Sequence, residues 1–253
     1  MQHPPTTVAE AAEKIFQLTG VQRKPTQVRR FLKRIGMKPR RVAALPAKAD
    51  VQAQKEFKER ILEPKLQEAA AGHRVVFFID AAHFVLAPFL GIVWCFTRLF
   101  LKAPSGRQRF NVLGALNAIT KEVITVCNDT YITSEQVCAL LDKLAALNPG
   151  RLISLFLDNA RYQRCAKVQE HAQSLGIELL FLPSYSPNLN LIERFWKYVK
   201  KKCLYSRYYA AFSEFKGAIS TCIEQAALQH KKELDSLLTL RFQTFDPTTV
   251  LAG

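Results

Sequence analysis

"RVVFFID", residues 74–80, is apolar from Val75 to Ile79 and then stops on a carboxylate, Asp80. An unbroken apolar run of this kind, rich in β-branched and aromatic residues, is the pattern of a strand buried on both faces. "LISLFLD", residues 152–158, has the same form and also ends in an aspartate, Asp158. Between them, "RFNVLGALNAIT" (109–120) and "EVITVCND" (122–129) are two further strands joined by a short turn near Lys121, which predicts an antiparallel hairpin. Residues 134–147 set Val137, Leu140, Leu141, Leu144 and Leu147 on one face of a helix. A helix over 163–175, a strand over "IELLFL" (177–182) and a helix from about residue 189 complete the order β-β-β-α-β-α-β-α. A three-strand meander followed by right-handed β-α-β units is an α/β fold with a mixed sheet covered by helices. Residues 85–106 are compatible with a short extra strand and a loop, and carry no pattern that assigns them.

Upstream of that sheet the grammar is helical. In "TVAEAAEKIFQLT" (7–19), Val8, Ala11, Ala12, Ile15 and Leu18 share a face, and Gly20 breaks the pattern. "KPTQVRRFLKRIG" (24–36) follows, with Pro25 suited to a first helical turn and Gly36 to a C-terminal cap. Its apolar stripe is Val28, Phe31, Leu32 and Ile35, and its other face carries Thr26, Gln27, Arg30, Lys33 and Arg34. Two short helices about a tight turn, the second basic on its outer face, resemble a helix-turn-helix. "GMKPRRV" beyond them offers Lys38, Arg40 and Arg41 as a wing or arm that follows phosphates. The rival reading is a small helical hairpin with a solvated basic face. Divided this way, the chain has a DNA-binding subdomain at 1–48, a polar connector helix at 49–72, an α/β domain at 73–205 and a C-terminal helical extension at 206–253.

Charge favours the DNA reading. Residues 1–48 hold eleven Lys/Arg against two Glu, so +9 of the net +15 lies in less than a fifth of the 253 residues. A surplus of that size points to a polyanion. Six cysteines lie scattered without a C-x-x-C pair, which argues against disulfide staples and a structural zinc. No apolar run reaches a membrane span and "MQHPPTTVAE" lacks the form of a signal peptide. The expected setting is therefore cytoplasmic, at the nucleoid, with no membrane partner.

Ligands of open α/β sheets gather at the carboxyl ends of strands, where Asp80 and Asp158 stand. Either aspartate alone is explained equally well by helix capping or a turn. A third acid, Glu193, lies in "LPSYSPNLNLIERFWKYVKKK" (182–202), at the edge of the stripe Leu189, Ile192, Trp196, Val199 and Cys203 rather than on the lysine side. A carboxylate turned toward a core is costly unless it is paired or bound to metal. Three converging acids repel, and two hard divalent cations neutralise them; oxygen ligands suit Mg²⁺ or Mn²⁺. Such a pair of ions supports phosphodiester chemistry.

The acids are separated by 77 and 34 residues. The second gap, with "LDNARYQ" and "YSPNLNLIE", resembles the catalytic core of mariner-type DDE transposases, most closely the prokaryotic insertion sequence 630 branch; the resemblance covers roughly residues 20–205. It implies an RNase H-like fold, Mg²⁺-dependent strand cleavage and transfer with two ions per site (Mn²⁺ substituting), and joining at TA. By position, Asp80, Asp158 and Glu193 match the family's metal triad, Asn159 the residue after its second Asp, and Tyr185, Ser186, Pro187 and Asn190 the loop presenting the glutamate helix. Ser186 or Asn188 is expected to cap that helix.

Two features depart from the family. Many relatives place Glu directly after the first Asp, whereas Ala81, Ala82 and His83 follow Asp80 here. His83 is open to two readings, orienting the site or DNA, or supporting the fold. Family members also carry two DNA-binding subdomains and one is visible here. The partners implied are thus double-stranded DNA (terminal inverted repeats and target), a second copy in a homodimer assembled on DNA, and an upstream-frame DNA-binding protein. The alternatives are a transposase-derived DNA-binding regulator and another RNase H-like metal-dependent nuclease.

Overall fold

A computed structural model describes residues 4–40, 46, 48–87, 94–98, 100 and 108–245, and the chain divides into two units at Ala47 and Lys48. In the first unit, α1 (Val8–Thr19) starts where the Thr7 hydroxyl accepts the Glu10 N–H at 3.1 Å. It ends on Gly20 at φ 69°, a conformation that favours glycine, with the Gly20 N–H donating to the Phe16 carbonyl at 2.7 Å. α2 (Pro25–Arg34) begins on proline, and the Gln27 side chain accepts the Lys24 N–H at 3.1 Å. These are the two helices of the predicted helix-turn-helix. The expected stripe is buried only at Val28, however, with Phe31 42% and Ile35 54% exposed. Helices of 12 and 10 residues have too little apolar surface to enclose one another, and Ala11 and Val28 are the buried pair among the described residues of this unit. Residues 37–40 adopt neither helix nor strand, and Arg41 lies outside the described residues, as does most of 85–106.

In the second unit, α3 (Val51–Phe57), a π-helical turn (Lys58–Leu62) and α4 (Glu63–Ala70) run on without a break. The sequence reads as a solvated connector, yet Leu62, Leu66 and Ala69 are buried in the core. Their spacing keeps one apolar stripe among the charges. Then follow β1 (Val75–Val85), β2 (Arg109–Asn117), β3 (Val123–Asn128), α5 (Ser134–Leu147), β4 (Ile153–Leu157), α6 (Arg161–Arg164), α7 (Ala166–Ser174), β5 (Ile177–Phe181), a 3₁₀ turn (Pro187–Leu189), α8 (Ile192–Val199), α9 (Phe212–Gln229) and α10 (Lys231–Leu237). The sheet order is β3-β2-β1-β4-β5, with β1–β2 and β2–β3 antiparallel and β1–β4 and β4–β5 parallel. This is the mixed sheet that the element order predicts. The hairpin turn sits where expected, with Lys121 at φ 65° and Asn117 Oδ1 accepting the Ile119 and Thr120 N–H groups.

Two boundaries differ from the sequence reading. The helix expected over 163–175 is cut at Cys165, whose backbone is extended (φ −68°, ψ 155°), so α6 and α7 are separate. β1 does not stop at Asp80 but continues to Val85, because its antiparallel pairing with β2 runs on to Val85↔Arg109.

Both sheet faces are covered. Phe77, Ile79, Leu113 and Leu155 pack against Leu140, Leu141 and Leu144 of α5 and Val168 of α7. Val76, Phe78, Phe84 and Phe156 pack against α4, α8, α9 and α10 through Leu66, Ile192, Phe195, Phe215, Ile219 and Leu234. Residues 212–242 are thus part of the core. They close the α8 face, ending with buried Phe242.

Candidate active site

Strand pairing makes the opening. β1 and β4 stay in parallel register only to Phe78↔Phe156. Asp80 and Asp158 each stand two residues further on, and alternation turns both toward the α8 side. α8 brings Glu193 to the same place. A pocket of about 370 Å³ is lined by all three acids together with Asn159, Tyr185, Ser186, Pro187 and Asn190. Every supporting residue expected from the sequence is there except His83.

His83 falls on the other face of β1 by alternation and is exposed, its Nδ1 lying 2.6 Å from Asn111 Oδ1. Buried Asn111 donates onward to Asn128 Oδ1 at 3.1 Å and to the Thr130 carbonyl at 2.7 Å. That network ties β1 to β2 and β3, and the histidine takes no part in the pocket.

The remaining residues hold the acids in place. Asp158 Oδ1 accepts the Ala160 N–H at 3.0 Å. The buried Gln163 amide, turned with its nitrogen to the aspartate, donates to the same oxygen at 2.6 Å. Asn159 Nδ2 donates to the Leu182 carbonyl, linking the exits of β4 and β5. Asn190 Nδ2 donates to the Ile79 carbonyl at 3.0 Å, beside Asp80. Tyr185 sits at φ 58°, its carbonyl accepting Gln54 Nε2 at 3.5 Å. The expected cap of α8 by Ser186 or Asn188 does not form. Ser186 donates to the Ser184 carbonyl, and Asn188 to Gln54 Oε1 and the Gln243 carbonyl; the Glu193 N–H reaches the main-chain carbonyl of Asn190 instead.

Glu193 forms no side-chain hydrogen bond or ion pair among the described residues. Its basic neighbours are engaged elsewhere or face solvent. The Arg194 guanidinium donates to the Thr239 and Arg241 carbonyls at 2.8 and 2.9 Å, and Lys197 is exposed. A partner for surface lysines is therefore not what Glu193 is. Asp80 carries the electrostatic consequence. Burial above all, then the nearby Glu193 and, less strongly, Asp158 push its carboxyl from 3.8 up to about 7, against the opposing Ala81 N–H and Trp196 indole. Burial, then Asp158 and Asp80, also push the Tyr162 hydroxyl up to about 12.

The donor set is all oxygen and suits a hard divalent cation. Asn190 Oδ1, which is buried, has no hydrogen-bond partner. Among the described residues, no three His, Cys, Asp or Glu side chains close on one point as a finished ligand shell. The acids line the pocket as separate arms.

A family model described as a DDE superfamily endonuclease matches residues 75–216. The chain belongs to the DDE endonuclease superfamily. A winged helix-turn-helix model matches residues 4–61. An insertion element IS630 uncharacterized 39 kDa protein from Shigella sonnei is 26% identical over 189 residues, covering 74% of this chain and 54% of the relative. The chain thus spans about half the length of that relative. The Mos1 strand transfer complex aligns at a TM-score of 0.57 and 13% identity over 97% of this chain and 81% of that one. The mariner Mos1 paired end complex with Mg aligns at 0.56 and 13%, over 97% and 82%. These likenesses establish the RNase H-like fold.

In this member of the superfamily, the side chains expected to meet DNA face solvent: Thr26, Gln27, Arg30, Lys33, Arg34, Lys38 and Arg40 are all exposed. Two are partly engaged, Gln27 in capping α2 and Arg34 over the Phe31 ring at 5.8 Å. Sequence reading missed Gln163 and Gly114. Gln163 lies inside the quoted "LDNARYQ" motif, and its spacing from Asp158 was the available signal. Gly114 is the residue of β2 opposite Asp80, a long-range pairing with no local signature. Among the described residues, no helix is long and apolar enough to cross a membrane.

Proposed function

We propose that the chain is a DNA transposase of the insertion sequence 630 type, which cuts and joins strands at the ends of its element. One observation carries the reading. Three acids drawn from β1, β4 and α8 line one pocket, where burial and the neighbouring Glu193 push Asp80 up to about 7. Asp80, Asp158 and Glu193 are the side chains that would hold divalent metal. Two Mg²⁺ ions, or Mn²⁺ in their place, would supply activation of an attacking water or hydroxyl and charge stabilisation of the leaving oxygen. The chain's own part is positional. Gln163 and the Ala160 N–H orient Asp158, Asn159 holds the β4 exit, and Asn190 holds the loop before α8 against β1. Exposed Arg30, Lys33 and Arg34, with Lys38 and Arg40, bind the phosphates of the terminal inverted repeats. TA is the proposed target, and a homodimer on DNA, with an upstream-frame DNA-binding protein, the proposed assembly.

The test is purified protein with Mg²⁺ and duplex DNA carrying the element's ends, read for nicks and joined products at base resolution. Mg²⁺-dependent cuts at the ends followed by joining are expected. Binding without cleavage would make the chain a DNA-binding regulator, and cleavage without end preference or joining would make it another nuclease of this fold. In the same assay, Arg30, Lys33 and Arg34 changed together to Ala should lower the slope of log affinity against log salt by up to about three.

A further inference from the structure

We propose that Trp196 is a positioning residue for Asp80, seated by Gly114, and that with Asn190 it staples the glutamate helix to β1. The proposal rests on the metal-site reading above. Asn190 and Trp196 lie three residues on either side of Glu193, Asn190 in extended backbone just before α8 and Trp196 about one helical turn along it. Each reaches β1 at adjacent residues. Asn190 Nδ2 donates to the Ile79 carbonyl at 3.0 Å, and Trp196 Nε1 donates to Asp80 Oδ2 at 3.1 Å. Glu193 therefore hangs between two fixed points on the strand that carries its partner acid.

A buried indole N–H takes some acceptor in most proteins, so the bond alone says little. The seat says more. Gly114 is the register partner of Asp80 across β2. A Cβ at that position would stand 2.7 Å from Trp196 Cη2 and 2.8 Å from Cζ2, so the ring lies where only glycine leaves room. Phe84 meets the indole edge-on at 6.1 Å and 83°, and Phe195 lies tilted at 5.5 Å, which fixes the ring's orientation. The donor's chemistry fits the task. A lysine or arginine in that place would neutralise Asp80 and compete with a cation, whereas the neutral indole occupies Oδ2 and leaves the carboxylate's charge intact. Groups that orient a ligating side chain change metal affinity by roughly 10–100-fold when removed.

Trp196 also reports on the site without any need for cleavage. The chain has two tryptophans, and Trp94 is fully exposed. In a Trp94→Phe background, paramagnetic Mn²⁺ should quench Trp196 emission along a saturating curve, and Asp80→Asn should abolish it. Replacing Trp196 with benzothienylalanine, which keeps the ring shape and puts sulfur where the N–H was, should weaken Mn²⁺ binding about tenfold by calorimetry with cooperative melting retained. Trp196→Phe and Gly114→Ala should do the same, and excess Mg²⁺ should restore their nicking rate. Unaltered Mn²⁺ affinity in the benzothienylalanine protein would overturn the proposal and leave the indole as core packing. Failure of the parent chain to bind Mn²⁺, or binding unaffected by Asp80→Asn, would instead overturn the metal reading beneath it.

Discussion

One face of one sheet carries two groups of acids, and they are built in opposite ways. At the start of β1, β4 and β5, Glu178 is met by Lys65 at 2.8 Å and Arg74 at 2.8 Å, and its carboxylate also accepts the Ser154 hydroxyl at 2.6 Å. Arg74 reaches Glu68 as well, at 2.5 Å. Burial raises the Glu178 carboxyl, but its bonds to Lys65 and Ser154 and the charges of Lys65 and Arg74 outweigh that and hold it below its ordinary value. At the other end of the same strands, Asp80, Asp158 and Glu193 have each other and no ion-pair partner among the described residues. There Asp80 rises to about 7. A chain with 36 Lys and Arg is not short of cations. It spends them where acids are structural and withholds them from the acids that line the pocket, which is the arrangement a site for divalent metal requires.

The sharpest way to break the contrast is at Glu193. Glu193→Gln keeps the side chain's shape, so packing beside Ile192 should survive, while Mg²⁺-dependent nicking falls about a hundredfold or more. Thermal midpoint, DNA affinity and nicking measured on one preparation check this, and a Gln variant that nicks at the parent rate would make the two ends alike. Arg74→Met attacks the compensated end. The expected cost is about 2 kcal/mol in urea unfolding, below that of a fully buried pair because Glu68 and Glu178 are 42% and 41% exposed; nicking should be unchanged.

A further test is pH dependence, whose sign differs between the ends. In metal-free protein the folded state keeps the Asp80 proton up to about pH 7, whereas the unfolded chain loses it near 3.8. Stability from this group is full below pH 3.8 and is lost as pH rises through 7. Glu178, with its lowered value, contributes in the other direction, losing stability as pH falls. Melting curves of Asp80→Asn and Glu178→Gln should each flatten one side of the profile, and added Mg²⁺ should reverse the loss only where Asp80 is intact.

The residues that a short window can reveal were visible in the sequence. Asp80 and Asp158 end apolar runs, Glu193 sits on the wrong side of its helix for a lysine partner, and the hairpin at Lys121 and the helix at 134–147 follow from local periodicity. What escaped depends on pairing between distant segments. β1 outlasts its apolar run because β2 still bonds to it as far as Val85. Gly114 has meaning only once Trp196 is known to lie across from it. α3 and α4 look like a solvated rod because charges outnumber the stripe of Leu62, Leu66 and Ala69 that the sheet face covers. In the helix-turn-helix only the expected burial failed: its apolar stripe is real but, beyond Val28, largely uncovered.

The clamp on Arg194 bears on how much of the chain the site needs. The guanidinium next to Glu193 is held by the carbonyls of Thr239 and Arg241 and lies 5.5 Å from the Phe242 ring, which itself packs 5.7 Å from Phe78. All three acids are in the chain by residue 193, yet the surface that beds the glutamate helix comes some fifty residues later. A released chain ending at Leu204 therefore contains every acid of the site without the surface that beds the glutamate helix and is expected not to nick DNA, while one ending beyond Phe242 is expected to.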